Sequence, residues 1–470
     1  MTAFLPETLT AAALVLMLSI AVAGRLTGRF TWLTAVLASA VVLEGAVAAW
    51  SSEAALFSAT YRIDAFSQGF KLVLALTLLI TVLASRASSV AAEREPEYYF
   101  FLFSATLGMM MLTSAADLLT LYVALELSSY SLYVLSAFKL DRRSAEAGVK
   151  YLLFGAAASG LLLWGLSLIA GLSGTTHLAE IAQKAPALAA GEPIYLAALF
   201  LSLLALLFKL SAFPAHFWAP DVYESAPTPA VLFIATASKA AAVAILVRVF
   251  LWLGMPAGAG WALGFLAFVS MSLGNAVALV QTDVKRLLAY SSIAQAGYIL
   301  VGLLAGSFEG YSSVIFYAAA YVLMNAAAFL VTGVVAEAAR HDNPQLSHFD
   351  GLAERSPLLA LVLLISLLSL AGIPPLAGFT GKWILFSAAM DKGHWFLVLW
   401  GVLNSVVSLF YYLTLVKHAY LEKPKEPGRL TVGPIAKGMA WALMLAIVLL
   451  GIFPDGVIGL CREAVELAAF

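Results

Sequence analysis

Cysteine is nearly absent: Cys461 is the only one in 470 residues. A lone thiol excludes a disulfide framework, a cysteine-ligated iron–sulfur cluster and a structural zinc site. Charge is scarce as well. Lys, Arg, Asp and Glu make up 11% of the chain, where a soluble domain has about a quarter. The net charge of -1 leaves no basic footprint, so nucleic acid is not expected as a partner. Long polar loops are missing, which leaves no place for an appended soluble domain. The first apolar run, near 9–23, has no basic residue before it and no small-residue cleavage site after it, and it reads as a first helix rather than a removed signal peptide. What remains is hydrocarbon: 62% of the residues are hydrophobic. The expectation is an all-α polytopic protein whose main partner is the lipid bilayer.

About twenty apolar residues cross a bilayer as helix. Fourteen such runs lie near 9–23, 31–50, 66–85, 98–114, 116–138, 146–171, 194–212, 228–253, 260–281, 286–305, 312–338, 357–372, 394–420 and 434–453. Loops after odd-numbered runs hold 15 basic residues: Arg25, Arg29, Arg86, Arg94, Lys139, Arg142, Arg143, Lys285, Arg286, Arg340, Arg355, Lys423, Lys425, Arg429 and Lys437. The opposite side holds 4: Arg62, Lys184, Lys392 and Arg462. This bias places both termini outside the cytoplasm.

The seventh and twelfth runs continue into proline-broken segments, "LSAFPAHFWAP" around Pro214 and "LAGIPPLAGFTGKW" around Pro374 and Pro375. A proline inside a helix removes a backbone bond and clashes with the preceding turn. At membrane depth the freed carbonyls are tolerated only inside protein or beside a wet cavity. The breaks are 160 residues apart, and five runs of similar total length surround each. Five is odd, so the second block enters the membrane with opposite orientation, which is the arithmetic of an inverted repeat. The expected organisation is 1–97 as three N-terminal helices and 98–253 and 254–420 as the two repeats. A final helix and tail cover 421–470.

Four ionisable residues fall well inside these runs: Glu126 in "LLTLYVALELSSYSLYVL", Lys209 in "LALLFKLSAF", Lys239 in "FIATASKAAAVAIL" and Lys382 in "GFTGKWILF". A charge at the bilayer centre costs at least roughly 2.5–3.5 kcal/mol on insertion scales, and the default reading is an ion or proton path. Lysines dominate and carboxylates are few, so protons fit better than metal ions. Burial disfavours the charged form of a lysine and a nearby carboxylate restores it. A Glu126–Lys209 pair can therefore load and release a proton if the fifth and seventh helices touch, or it can be a static structural pair. Lys150, entering the sixth run, can serve the path or snorkel to the interface. His216, just past the first break, is a relay or a plain hydrogen-bond donor. Arg248, Lys71 and Lys417 lie near helix ends and read as snorkelling side chains. At an offset of 160, Glu126 falls near Arg286 and Lys239 near Leu399, so the second half lacks equivalents of both. It offers Tyr290, Ser291, Ser292 and Gln295 on the tenth helix and Asn404, Ser405, Ser408, Tyr411 and Tyr412 on the thirteenth.

The motifs "DLLTLYVALEL", "EAGVKYLLFGAAASG", "FKLSAFPAHFWAPDVYESAPTP", "QTDVKRLLAYSSIAQAGYILVG" and "LAGIPPLAGFTGKW" resemble those of the antiporter-like membrane subunits of respiratory complex I, the NADH–quinone oxidoreductase. "PDVYE.APTP" favours the N-type subunit over multisubunit sodium/proton antiporters. Lysine in "GFTGKW" separates the chain from the M type, and the lack of a long lateral helix after the fourteenth span separates it from the L type. The resemblance implies that Glu126, Lys209, Lys239 and Lys382 are the proton-path residues of the fifth, seventh, eighth and twelfth helices, with Lys150 an additional lysine of the sixth. Gln295 stands where the family often has histidine, and Ser225 where glycine is common.

The resemblance further implies a proton-translocating membrane-arm subunit without a redox centre. NADH, FMN, iron–sulfur clusters and quinone would be bound by partner subunits of the membrane and peripheral arms, in a bacterial inner membrane. The alternative is a subunit of a multisubunit cation/proton antiporter or of a membrane-bound hydrogenase.

Overall fold

The structure, a computed structural model, describes residues 2–24, 28–87, 94–254, 259–341, 343–424 and 428–468. Arg25 and Lys425, two of the loop cations counted above, lie outside them. Three helices come first: α1 (Leu5–Ala23), α2 (Arg29–Ala48) and α3 (Ala65–Ala84). The next block holds α4 (Glu95–Thr113), α5 (Leu118–Ser136), α6 (Arg142–Ser173), α7 (Leu178–Gly191), α8 (Pro193–Leu210), α9 (Trp218–Ser225) and α10 (Thr228–Leu253). A second block holds α11 (Ala259–Ala278), α12 (Val284–Leu304), α13 (Phe308–Ala338), the short α14 (Leu352–Arg355), α15 (Pro357–Ala371), α16 (Ala377–Asp391) and α17 (Trp395–Tyr420). The chain closes with α18 (Pro434–Ile452) and α19 (Asp455–Ala468).

Among the described residues, twelve helices are long and apolar enough to cross a membrane. With α4 and the broken α15–α16 span, they reproduce the fourteen expected runs. Besides short turns such as α14, a hairpin and two helices lie outside those runs. A two-stranded hairpin pairs Ala54–Leu56 with Tyr61–Ile63, and α7 and α19 are amphipathic. On α19 the buried positions Cys461, Ala464, Val465 and Ala468 follow the 3–4 spacing of one helix face.

Loop contacts sort the span ends onto two faces. On one, Leu118 N–H donates to Thr176 O at 2.9 Å and Leu178 N–H to Ala116 O at 3.0 Å. On the other, Val284 N–H donates to Pro344 O at 2.9 Å and Leu346 N–H to Thr282 O at 2.9 Å. These are two copies of one bridge, Asp117–His177 and Asp283–Gln345. In each copy the aspartate caps a helix: Asp117 accepts from Leu119 N–H and Asp283 from Arg286 N–H, both at 2.8 Å. The same motif on opposite faces is the signature of an inverted repeat.

The repeat offset is 166 residues here, not 160. Gly108 of α4 and Gly274 of α11 confirm it. A Cβ on Gly108 would meet Ser128 N at 2.6 Å and Ala124 O at 2.9 Å, and one on Gly274 would meet Ala294 N at 2.5 Å and Tyr290 O at 2.8 Å. Glycine at these positions lets α4 press on α5 and α11 on α12 backbone to backbone. At this offset Glu126 corresponds to Ser292 and Lys239 to Ser405. Between the two breaks the offset shortens to 161, because the intervening loops differ in length.

The centre is tightly packed. Helix α10 is buried along its whole membrane window and α12 along nearly all of it. Helices α2, α6, α17 and α18 turn much of their surface outward. So the two least exposed spans of the molecule are the first repeat's last helix and the second repeat's second.

Candidate functional site

The first break begins where α8 stops. Ser211 turns left-handed at φ +53°, and the Phe213–Pro214 peptide is cis. Four carbonyls at a helix end have no intrahelical donor and need other partners. Trp218 Nε1–H reaches back to Phe208 O at 3.0 Å, and Lys239 Nζ donates to Leu210 O at 2.8 Å and to Ser211 Oγ at 2.5 Å. Lys239 comes from α10, and it is 2% exposed. Its ammonium sits at the negative end of α8, where a cation is favoured.

The second break repeats the geometry with a different lysine. Helix α15 ends at Gly372 with φ +89°, and the Pro374–Pro375 peptide is cis. Lys382 Nζ, from α16, donates to Leu370 O at 3.0 Å, Ala371 O at 3.2 Å and Ser405 Oγ at 3.0 Å. It also lies 4.3 Å from the centre of the Tyr298 ring. Glycine is required at 372 on two counts: the positive φ, and a Cβ there would lie 3.1 Å from Lys382 Cδ. Gln295 joins this cluster. Its Nε2–H donates to Leu370 O at 3.0 Å, and Tyr317 OH donates to its Oε1. The residue at the family's histidine position thus holds the same carbonyl as the lysine.

Lys209 is different. It is buried in α8, and its Nζ has no hydrogen-bond partner among the described residues. A small cavity of about 10 Å³, room for a single water, touches it and is lined also by Ser129, Tyr133 and Ser159. Glu126 is half-buried on α5, and its Oε1 accepts a short hydrogen bond from Ser159 Oγ. Ser159 belongs to α6, which packs on both α5 and α8. The glutamate and the lysine are therefore connected through a serine and a water-sized space, not by a described ion pair.

The other expected residues separate into distinct places. Lys150 is 42% exposed on its side chain and bridges Glu146 and Asp221, each at 2.9 Å. Asp221 in turn meets Arg286 at 3.1 Å, and Arg286 meets Glu224 at 2.8 Å. These charges tie α6, α9 and α12 together at the face where α9 ends. His216 is buried at the first break against Phe217, ring centres 4.3 Å apart, with Nδ1 unpartnered among the described residues. Lys417 is exposed and pairs with Glu422 at 2.9 Å, as a snorkelling side chain does. Arg248 and Lys71 do not snorkel. Arg248 is fully buried and grips Asp64 with two bonds of 2.9 and 3.0 Å; Lys71 is fully buried 2.7 Å from Glu7 Oε1. Their carboxylates lie 184 and 64 positions away in the sequence, which spacing alone did not reveal.

The polar residues of the tenth and thirteenth spans do come together, with additions. Asn275 of α11 donates to Asn404 Oδ1 at 3.0 Å and accepts from Tyr411 OH at 2.9 Å. Tyr412 OH is hydrogen-bonded to Ser291. Through Tyr298 and Ser405 this network reaches Lys382. Asn275, Tyr298, Tyr317 and Ser159 were not singled out by the sequence. Tyrosine and serine inside an apolar span were its only signal, and it is a common one.

Residues 115–408 match the family described as "NADH:quinone oxidoreductase/Mrp antiporter, TM". A relative from Syntrophobacter fumaroxidans named NADH-quinone oxidoreductase subunit N 2 is 42% identical over 471 residues, covering 98% of both chains. A chain of respiratory complex I from Thermus thermophilus, solved with bound aureothin, superposes with a TM-score of 0.84 at 35% identity, over 97% of this chain and 98% of that one. A chain of the Mrp complex from a Dietzia species superposes with a TM-score of 0.88 at 23% identity, over 99% and 98%, and shows a shared fold. By sequence over nearly its whole length, and by two helix breaks that each bring a lysine onto freed carbonyls, this chain belongs to the NADH:quinone oxidoreductase/Mrp antiporter transmembrane family.

Proposed function

We propose that the chain is a proton-translocating membrane subunit of a NADH–quinone oxidoreductase, of the subunit N type. The observation that carries the reading is the row of lysines at the two breaks. Lys239 reaches the end of α8, the helix that carries Lys209 in its last turn, and Lys382 sits at the end of α15. Lys239 and Lys382 each lie where irregular backbone supplies acceptors inside hydrocarbon. Protons pass between such groups through water and hydroxyls, with Ser159, Tyr298, Ser405 and Gln295 within the chain of contacts. In this reading Glu126 acts on Lys209 through Ser159 and the adjoining cavity. Electron transfer belongs to partner subunits, which hold NADH, FMN, iron–sulfur clusters and quinone. Energy from quinone reduction reaches it as shifts in helix packing and charge.

The same reading sets the chain in a bacterial inner membrane with both termini on the non-cytoplasmic side, and takes 98–253 and 254–420 as the two functional halves. The test is proton pumping by the assembled enzyme in liposomes with Lys209→Ala. Quinone reduction with a reduced proton yield is expected. Unchanged pumping at unchanged quinone reduction overturns the role.

A further inference from the structure

A second set of buried charges lies away from the helix breaks, at the face where α1 and α3 begin. Glu7 is on the first turn of α1, Lys71 is seven residues into α3, and Tyr61 is on the hairpin between α2 and α3. All three are at most 2% exposed. Tyr61 OH donates to Glu7 Oε1 at 2.5 Å, and Lys71 Nζ is 2.7 Å from the same oxygen. Lys71 also lies 5.5 Å from the centre of the Tyr61 ring. The pair is under-used. Glu7 Oε2 has no partner among the described residues, and the ammonium, with three donors, meets only one acceptor.

Its neighbour is built otherwise. Asp64 accepts from Arg248 on both oxygens, and Oδ1 also caps α3 through Ser67 N–H at 2.8 Å. Arg62, partly exposed, stands 3.5 Å from Asp64 and donates to Leu467 O at the surface. An arginine cannot give up its proton, so the Asp64–Arg248 pair is a clamp between α3 and α10. The Glu7–Lys71 pair carries two groups that can each exchange one, and Asp64, Arg248 and Arg62 are the other charges that face it.

This set and the Lys150–Asp221–Arg286 set stand at opposite faces of the molecule. Both α1 and α3 start at the face of the Asp117–His177 bridge, whereas α6 starts at the face of the Asp283–Gln345 bridge. Helix α10 joins the breaks to this region, because it carries Lys239 and, nine residues on, Arg248. That is about 13 Å along the axis.

We propose that Glu7, Lys71 and Tyr61 form a proton-exchange site through which this chain releases protons at the face opposite Lys150. The site rests on the proton-translocation reading above. In the charged state Glu7 is a carboxylate and Lys71 an ammonium. Lys71 passes its proton to Glu7, the neutral carboxyl passes it to water at that face, and the free amine of Lys71 takes the next proton from water on the interior side. One proton enters and one leaves per cycle. Tyr61 holds the Glu7 oxygen by its hydroxyl and is the positioning residue.

The test uses the assembled enzyme in liposomes and reads protons moved per NADH oxidised. Lys71→Arg keeps the ion pair and cannot release a proton, so it separates the proposal from a static role. The expected result is an assembled enzyme whose proton yield falls by as much as in Lys209→Ala. A normal yield in assembled Lys71→Arg overturns the site. Should arginine prevent assembly, the double variant Glu7→Gln/Lys71→Met removes both charges together, which buried pairs often tolerate. The same loss of yield supports the site there, and a full yield overturns it. Lys209→Ala is run beside them: a loss in that variant alone removes this site and leaves the wider reading, and a loss in neither removes both.

Discussion

The two breaks pose one problem and receive different answers. At the end of α8 the freed carbonyl is met by a lysine from the following full helix, and a second lysine, Lys209 in the last turn of α8, has no hydrogen-bond partner among the described residues. At the end of α15 the carbonyls are met by a lysine from the other half of the same broken span, helped by Gln295. At Lys239's equivalent position the second half has Ser405, and that serine accepts from Lys382. Among the described residues, partner number therefore rises from none at Lys209, through two at Lys239, to three at Lys382. An ammonium has three donors to satisfy, so Lys382 is tethered and Lys209 is free to change partners. The first half leaves one of its buried lysines untethered, and the second tethers the one it has.

The largest expected effect breaks this contrast directly. Lys382→Met keeps the volume but leaves the Ala371 carbonyl without its described donor, while Leu370 O keeps only Gln295. Each orphaned buried group costs about 1–3 kcal/mol. Lys209→Met orphans nothing. Thermal unfolding of the detergent-purified chain, or of its complex, should show a clear loss for Lys382→Met and little for Lys209→Met, while both lose proton yield. Equal stability losses would show that the two lysines play the same part.

The turn residues sharpen the comparison at smaller cost. Gly372→Ala forces a side chain into left-handed backbone, about 1–2 kcal/mol, and presses on Lys382 Cδ. Ser211→Ala leaves a non-glycine residue at φ +53°, as before, and removes one of the two acceptors of Lys239, about 1 kcal/mol. The glycine variant should be the less stable in the same melt, and its proton yield should fall the further. The reverse order would mean that the Ser211 hydroxyl, not the tether of Lys382, limits the path.

These differences mark what a sequence can and cannot disclose. All fourteen spans were legible because bilayer thickness fixes a length and hydropathy fixes a composition. Both breaks were legible because proline cannot donate. The buried lysines stood out against hydrocarbon. Partners did not. Arg248 and Asp64 are 184 positions apart and Lys71 and Glu7 are 64, and only the packing of α3 on α10 and its neighbours joins them. Ser159 is invisible among the small residues of α6 until Glu126 is seen to accept from it. The repeat offset was misread because the loops between corresponding helices differ in length, while the capped helix starts keep register. Helices α7 and α19 were passed over because their apolar stripes are too short for a span, though their 3–4 spacing was there to read.

The smallest effect concerns those helix starts. Helix α6 begins at Asp141, whose carboxylate accepts from Ser144 N–H at 2.7 Å; its equivalent at the start of α13, 166 positions on, is Ser307, whose hydroxyl accepts from Gly310 N–H at 3.2 Å. The Ser144 backbone N–H holds the Asp141 carboxyl below the usual carboxylate range. A group with a depressed folded value stabilises fully above its unfolded value, about 3.9. That stability is lost as pH falls through the folded value. A serine cap does not titrate over this range. Hydrogen-exchange protection of the Ser144 amide, corrected for intrinsic rate, should therefore fall on acidification below about pH 4, while that of Gly310 holds. A cap is worth about 1 kcal/mol, so the drop is at most several-fold, and Asp141→Ser should abolish its pH dependence. Equal acid sensitivity at the two amides would mean that the repeats' helix starts loosen together, and that the cap chemistry distinguishing them has no energetic consequence.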